Sequence, residues 1–353
     1  MKSLNVNLRV ATSFAWWVVA VFCCIINTVQ AGTFGPFTYV DNGTSITIIA
    51  CQTSAVGEID VPATIVGKPV TSLQNTFTGC HSVNSVTIPA SVSTISTYTF
   101  FECGNLSTIN VDSANTTFSS VDGMMLNKSQ NTLLVYPVGK GESITIPASV
   151  TNIGTEAFSH CTMVSITIPS NVESIGDWAF DHCSHLTSAY FSGNAPSVGT
   201  SVFNYIASGF TVYYFNDKTS FASPTWNGYP AVNMGNSSPA TNWLLSNNLP
   251  YNSDLQSTPN GVGVSLLMAY AFNLNPRQNQ SGNLPKPVLS GNQLSLKFYA
   301  GSSGVKYTVE ASTDMKSWST AGVTLSALDA NNFRTATVNQ GGPGKFLRIV
   351  TSY

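Results

Sequence analysis

Residues 165–183 read SITIPSNVESIGDWAFDHC, and residues 143–161 read SITIPASVTNIGTEAFSHC. A third copy, SVTIPASVSTISTYTFFEC, occupies residues 85–103, and a looser copy, EIDVPATIVGKPVTSLQNTFTGC, occupies residues 58–80. The phenylalanine near the end of each copy recurs at positions 77, 100, 158, 180 and 203. Apart from the long interval between Phe100 and Phe158, this spacing is nearly constant. A fixed period of roughly 22–23 residues is typical of a solenoid, in which each coil buries its apolar side only against the next coil.

Within each copy, apolar residues alternate through a short segment that ends at a proline. Met163, Ile166 and Ile168 give the spacing L-x-x-I-x-I of an inward-facing repeat strand. The proline that follows lacks a backbone donor, so strand pairing stops there. We therefore expect one strand and one return path per coil, and the inward residues of the copy at 165–183 are Ile166, Ile168, Val172, Ile175, Phe180 and Cys183.

The long interval between Phe100 and Phe158 equals one repeat plus an insertion, which we assign to residues 112–140. Asp122-Gly123 between two apolar runs is a strong hairpin signal, and residues 127–131 form a second turn. The insertion is therefore expected to enlarge one coil with locally paired strands. A similar hairpin pattern over residues 32–57 is expected to cap the exposed sheet edge at the start of a solenoid over residues 58–235.

The recurring sequence pattern SITIP…V..I…AF..C closely resembles the BspA-like leucine-rich repeats of bacterial and protist surface proteins. The resemblance covers roughly residues 37–235. It implies a right-handed, curved solenoid that is used for adhesion or protein binding. It does not name a ligand.

The periodicity stops near residue 236, and two smaller regions follow. Residues 236–284 are expected to form a helical linker, with one capped helix around 239–246 and a second, buried helix within 264–272. Thr258 to Gly263 is similar to half of a calcium loop, but Thr258 and Val262 stand where carboxylates are needed, so we expect no metal there. Residues 285–353 show a period of two and are expected to form a β-sandwich.

The region from residue 240 onward resembles, more loosely, a C-terminal module of secreted multidomain proteins from environmental bacteria. The segments that carry this resemblance are YTVEASTDMKSW and FLRIV. That resemblance carries no assigned activity. Trp318 within it is either a core residue or a platform for sugar stacking. The fold class expected for the whole chain is a mostly-β α+β solenoid of leucine-rich repeats, followed by a helical segment and an all-β sandwich.

Residues 1–31 have the pattern of a secretory signal. Lys2 and Arg9 precede an apolar run over 14–26, and Val29-Gln30-Ala31 places small residues at the −3 and −1 positions of a cleavage site. The apolar run is short for a membrane span, which needs roughly 18 residues. An uncleaved anchor is the alternative. We expect export to the periplasm, the cell surface or the medium, with no transmembrane span after cleavage.

Charged residues make up only 8% of the chain, and 12 basic against 16 acidic residues remain after cleavage, a net charge of −4. No basic run exists, so nucleic acid is not an expected partner. The chain also lacks a G-x-S-x-G elbow, an H-E-x-x-H helix and a G-x-x-x-x-G-K-[ST] loop. We therefore expect a protein that is not an enzyme and needs no cofactor.

Asp181, His182 and Cys183 end the quoted stretch, and they suggest reactive chemistry at first sight. The cysteines at 80, 103, 161 and 183 share one register position, which favours packing of a small apolar thiol. Two alternatives stay open: disulfides Cys80–Cys103 and Cys161–Cys183, which an exported protein permits, and zinc held by His160, Cys161, His182 and Cys183. The repeat favours the packing interpretation, and it makes Asp181 and His182 exchangeable surface residues.

Side chains that alternate with the inward positions of each strand point outward and form a hydroxyl-rich row. This row is either a Thr ladder favoured by strand propensity or a surface that hydrogen-bonds a protein or glycan ligand. Its candidate binding residues are Thr87, Asn110, Thr145, Thr167 and Tyr190. The expected function is adhesion or protein recognition through this face, and the alternative is glycan binding or envelope anchoring through the C-terminal sandwich.

Overall fold

Coils stacked mainly through parallel strand pairs, as the repeat predicts, make up most of the described chain from residue 31 to residue 233. The computed structural model describes residues 31–141, 144–247, 249–258, 263–341 and 344–353. The expected signal sequence lies outside the described residues, except for Ala31. Most described coils contribute one strand to a front sheet and another to a back sheet, and the apolar side chains between the two sheets form the core.

The first stack of coils runs from residue 31 to residue 111. Its front sheet is parallel, in the order β4-β7-β9, and its back sheet contains β3, β6 and β8. β1, β2 and β3 pair antiparallel before β3 joins the coils, so a hairpin begins the stack. The strands are β1 (Ala31–Phe34), β2 (Phe37–Asp41), β3 (Ile46–Cys51), β4 (Gly57–Asp60), β5 (Thr64–Ile65), β6 (Lys68–Leu73), β7 (Val83–Ile88), β8 (Thr94–Ile95) and β9 (Thr108–Val111).

The insertion forms an antiparallel meander of β10 (Phe118–Val121), β11 (Met124–Asn127) and β12 (Thr132–Val135). The predicted hairpin turn is confirmed: Asp122 and Gly123 both have positive φ, 49° and 74°, as a type I′ turn requires. The hairpin then occupies the edge of β9, because the Ile109 N–H donates to the Gly123 carbonyl over 2.8 Å.

The second stack runs from the end of the insertion to residue 233. Its front sheet has the order β14-β16-β18-β20-β19, and its back sheet has β12-β13-β15-β17. β12 therefore belongs to the meander and to the back sheet at once. The strands are β13 (Asn152–Ile153), β14 (Ser165–Ile168), β15 (Ser174–Ile175), β16 (Ser188–Phe191), β17 (Ser197–Val198), β18 (Thr211–Tyr214), β19 (Thr225–Trp226) and β20 (Tyr229–Asn233).

A column of stacked aromatic rings fills the core of each stack. Phe77 and Phe100 stack at 5.7 Å in the first, and Phe158, Phe180 and Phe203 stack at 5.0 and 5.1 Å in the second. Tyr136 extends the second column, since its ring lies 5.1 Å from Phe158. Tyr136 precedes Phe158 by one repeat length, so the end of the insertion keeps the repeat period, which the sequence pattern of phenylalanines did not indicate.

The recurring cysteines are buried free thiols, as the packing interpretation predicts. The Sγ of Cys103 donates to the Phe77 carbonyl over 3.0 Å, and the Sγ of Cys183 donates to the Phe158 carbonyl over 3.1 Å. Each of these thiols thus satisfies a carbonyl of the preceding coil. Burial raises the pKa of Cys51, Cys103 and Cys183 to about 12, so these thiols stay protonated and unreactive at neutral pH.

We expect five titratable thiols in the chain without its signal sequence, since the 7 cysteines include Cys23 and Cys24. They should react with Ellman's reagent in concentrated guanidinium chloride without any reductant, and only slowly in the folded protein, because burial protects them. Fewer than five thiols in the unfolded protein would instead support the disulfide alternative.

The region after residue 236 combines two short helices with antiparallel sheets. The helices α1 (Pro239–Ser246) and α2 (Leu266–Ala271) lie where the sequence predicts them. The Ser238 hydroxyl caps α1 by accepting the Thr241 N–H at 3.0 Å, and Pro239 takes the first turn. Residues 259–262 of the calcium-loop-like segment lie outside the described residues.

The strand-rich end of the chain is confirmed as antiparallel sheets. A four-stranded sheet has the order β21-β22-β25-β24, and β23 pairs with β26. Phe298 from the first sheet, Val309 from the second and Phe272 after α2 share one apolar cluster. The strands are β21 (Val288–Ser290), β22 (Gln293–Tyr299), β23 (Lys306–Ser312), β24 (Thr324–Leu325), β25 (Phe333–Asn339) and β26 (Phe346–Ser352), and the 3₁₀ helices of the described chain are Thr97–Phe100, Val138–Lys140 and Ser281–Asn283.

Candidate functional site

The structure divides the predicted outward row into two parts, one on each front sheet. In the first stack, Thr87 lies opposite Asn110 on the neighbouring strand and opposite Asp60 on the other side. Asp60 and Asn110 are exposed and Thr87 is half-buried. No described residue forms a hydrogen bond with the side chain of Thr87 or Asn110.

Thr145 stands apart from both sheets. Its neighbours Ile144 and Ile146 are buried and Thr145 is exposed, so the inward and outward alternation is kept. The described residues around Thr145, 144–150, nevertheless belong to no strand, and the insertion hairpin occupies the edge of β9. The predicted continuous row is therefore interrupted between Asn110 and Thr167.

The outward row of the second stack is covered by the chain itself. The Thr167 hydroxyl donates to the carbonyl of Leu245, the penultimate residue of α1, over 3.1 Å. Tyr190 stacks on Tyr213 of the next strand at 4.9 Å, and the Tyr251 ring lies 6.2 Å from each of them. Burial raises the pKa of the Tyr190 hydroxyl, consistent with this cover. Tyr213 and Tyr251 complete a three-ring cluster that the sequence did not predict.

A second ring ladder, which includes His182, runs along one side of the stacks. His160 and His182 stack almost parallel at 4.7 Å, and Tyr205 follows at 4.5 Å. Phe101 of the first stack meets His160 edge to face at 4.8 Å. His160, His182 and Tyr205 each stand two positions after a column aromatic. These side chains are therefore in register and in contact, and His182 is exposed at the surface, as the sequence predicts.

The backbone at this register is left-handed in the copies that contain Phe100, Phe158, Phe180 and Phe203. φ is 58° at Glu102, 63° at His160, 56° at His182 and 49° at Tyr205, whereas the first copy uses Gly79 there. A residue with a Cβ is disfavoured in this region by roughly 1–2 kcal/mol relative to its usual conformation. The ring contacts along the ladder offset part of that cost.

Two acidic side chains, Asp181 and Glu102, lie close to the ring ladder. Asp181 lies 2.7 Å from the Nδ1 of His182 and accepts the amide of Asn204 at 2.8 Å. Burial and the neighbouring His182 lower the pKa of His160, whereas Asp181 and Glu102 oppose that shift. His160 is therefore expected to be mainly neutral at pH 7.

The ladder does not form the zinc site that was considered from the sequence. The imidazoles of His160 and His182 stack face to face, and their cysteine neighbours are buried in the core. In the ranges that the structure describes, no group of three His, Cys, Asp or Glu side chains is arranged to hold a metal ion.

Trp318 is neither a core residue nor an open platform. Its indole is half-buried, its Nε1 donates to the Met315 carbonyl over 3.2 Å, and the Arg348 guanidinium lies 4.4 Å from the ring centre. Arg348 in turn pairs with Glu310 at 2.7 Å. Any ligand that stacks on the Trp318 ring must therefore share it with Arg348.

Comparison with known proteins identifies the repeat. The family model for the BspA type leucine rich repeat region matches in six copies, over residues 44–129 and 137–225. No curated protein sequence matches the chain. No helix in the described ranges has the length and apolar character to cross a membrane.

Solved structures that resemble the chain are bacterial repeat proteins. A leucine-rich repeat protein from Eubacterium ventriosum is 18% identical, with a TM-score of 0.37 over 57% of this chain and 83% of that one. One from T. pallidum is 24% identical (TM-score 0.33, 49% and 88% covered), and a leucine rich cell surface protein from Faecalibacterium prausnitzii is 16% identical (TM-score 0.30, 64% and 99% covered). With its repeat sequence matched by the family model over both stacks, the chain belongs to the BspA-type leucine-rich repeat family.

Proposed function

We propose that this chain is an exported, non-enzymatic binding protein that recognises a protein partner through the front sheet of its first stack. The observation that carries the proposal is the outward row of Asp60, Thr87 and Asn110, which lies in register on three parallel strands and is free of the cover found on the second stack. Solenoid repeats commonly use such a sheet as an extended recognition surface. The signal-like residues 1–31 support export.

The row offers hydrogen-bonding groups in a regular array with one carboxylate. Neighbouring strands lie ~4.8 Å apart, so a partner meets a polar group at each strand spacing. Glu58 is also exposed on β4, two positions before Asp60, so this edge of the sheet is acidic. The surface is therefore suited to a partner that carries hydrogen-bond donors and some positive charge.

Binding should be lost when the row is blocked. We expect Asn110→Arg to weaken partner binding roughly tenfold or more, because a long cation on the edge strand β9 then blocks that end of the row and repels a positively charged partner. The measurement is a binding screen of the protein without its signal sequence against purified extracellular proteins and a glycan array, followed by titration of each hit. Thr200→Arg, at an exposed position away from the front sheet, is the matched control and should bind like wild type.

The alternative, glycan binding or envelope anchoring by the C-terminal sheets, gives a different outcome in the same screen. It predicts glycan hits that Trp318→Ala abolishes and that Asn110→Arg leaves unchanged. That result, or equal partner binding by the Asn110→Arg and Thr200→Arg proteins, would count against recognition by the front sheet.

A further inference from the structure

A cleft opens between the two stacks, on the side away from the front row. Its volume is about 660 Å³, which is within the usual range for ligand sites of roughly 300–1,000 Å³. One wall comes from the end of the first stack, within residues 95–104, and the other from within residues 134–138 and 155–160. No residue of the front row lines it, so the cleft is independent of the surface proposed above.

The cleft exists because the insertion interrupts coil-to-coil pairing. Elsewhere the N–H of the column phenylalanine donates to the next coil: Phe77 donates to the Thr99 carbonyl and Phe158 to the Ala179 carbonyl. At the end of the first stack, residues 97–100 tighten into a 3₁₀ helix instead. β8 pairs with β6 on one side, and no described strand pairs with its other edge, where Ile95 lines the cleft.

The interior of the cleft is apolar and its mouth is aromatic. Leu106, Phe118 and Met125 lie at its base and are buried by the core. At the mouth, Tyr98 is 52% exposed and its ring meets Phe101 edge to face at 5.9 Å. Phe101 also contacts His160 at 4.8 Å, so three rings are clustered at the opening.

The charge of the lining is negative only. Glu102 and Glu156 both line the cleft, no Lys or Arg does, and neither carboxylate forms an ion pair with a described residue. Tyr98, on the opposite wall, interacts with Glu156 side chain to side chain. Burial raises the pKa of Glu156, and nearby Asp181 adds to that shift. An incoming cation would stabilise the ionised form of Glu156 and so oppose both effects.

We propose that this cleft binds an extended segment of a partner polypeptide in which an arginine stands next to an apolar residue. The guanidinium reaches the carboxylates of Glu156 and Glu102 and packs against the Tyr98 and Phe101 rings, which suits its planar, donor-rich group. The apolar side chain enters the base of the cleft, and the peptide backbone pairs with the open edge of β8. Arginine fits better than lysine because it can bind carboxylate and ring together.

The test uses the methyl group of Met125 as a local probe. Protein labelled with ¹³C-methyl methionine is titrated with acetyl-Leu-Arg-Leu-amide and followed by NMR, with the Met125 signal assigned by Met125→Leu. We expect a saturable shift of the Met125 signal and no shift of Met315, which lies exposed in the C-terminal region. The same peptide with citrulline, which keeps the shape of arginine without its charge, should bind about tenfold more weakly.

Two variants extend the test. Glu156→Gln and Tyr98→Ala should each weaken the arginine peptide about tenfold, and the exposure of Tyr98 makes its truncation safe for folding. Glu173→Gln, an exposed carboxylate outside the cleft, is the matched control and should bind like wild type. An unmoved Met125 signal, or equal binding of the arginine and citrulline peptides, would overturn the proposal. Asn110→Arg should leave this titration unchanged, which separates it from the front-sheet proposal.

Discussion

Phe180→Ala is expected to destabilise the solenoid by about 3–5 kcal/mol, the usual range for a buried phenylalanine. The Phe180 side chain is fully buried and its ring stacks on Phe158 at 5.0 Å and on Phe203 at 5.1 Å. Removing it leaves a cavity in the middle of the second column and breaks two coil-to-coil contacts. The measurement is urea unfolding followed by circular dichroism.

The matched control for this variant is Trp178→Ala in the same coil. Trp178 is 41% exposed, so its truncation removes less buried apolar area and should cost at least about 1 kcal/mol less than Phe180→Ala. In a repeat array, the loss at Phe180 should also spread to adjacent coils, because each coil is stable only against its neighbours. A loss below about 1 kcal/mol for Phe180→Ala would mean that the aromatic column does not hold the stack together.

Asn115→Ala should destabilise the first stack by roughly 3–4 kcal/mol, because it leaves buried backbone groups without partners. The Asn115 side chain is fully buried. Its Nδ2 donates to the carbonyls of Pro89 and Val92 at 3.0 and 2.8 Å, and its Oδ1 accepts the N–H groups of Thr117 and Phe118 at 2.9 and 2.8 Å. The side-chain amide of Asn115 thus connects the start of the insertion to the turn after β7 by hydrogen bonds.

Asn171 provides the comparison for Asn115. Its Nδ2 also donates to two carbonyls of the preceding coil, those of Ala148 and Val150, but the residue is half-buried and accepts no backbone N–H from the described part of the chain. Asn171→Ala should therefore cost about 1 kcal/mol, since water can replace its bonds. Equal losses at the two positions in urea unfolding would show that burial of the Asn115 network is not what stabilises the insertion.

The repeat could be predicted from the sequence because the same pattern of apolar residues recurs from coil to coil. Phe158 and Phe180 recur one repeat apart with the same apolar neighbours, and local register then determines which side chains face inward. Asp122-Gly123 identified the hairpin for a similar reason, because the turn type requires positive φ at both positions. These features depend on contacts that are periodic or local in sequence.

The features that were missed lack such a signal. Tyr136 keeps the period, but it is not a phenylalanine and Gly139 stands where four other copies have cysteine. The cover over Thr167 joins residues 78 apart in sequence, and nothing in the repeat predicts that the α1 region folds back on the sheet. Asn115 lies in the polar run DSANTT, which is typical of a turn on the surface.

The cover divides the front face into an occupied half and an open half. Thr167 and Tyr190 direct their polar and aromatic groups to α1 and Tyr251, whereas Thr87 and Asn110 have no such contacts with the described residues. We therefore expect a partner to be recognised by the first stack.

Hydrogen exchange with a bound protein partner, taken from the binding screen, tests that claim most directly. Partner binding should slow exchange in β7 and β9 and leave β16 and β18 unchanged, because only the first pair carries the open row. Protection confined to β16 and β18, or to the C-terminal sheets, would contradict recognition by the first stack.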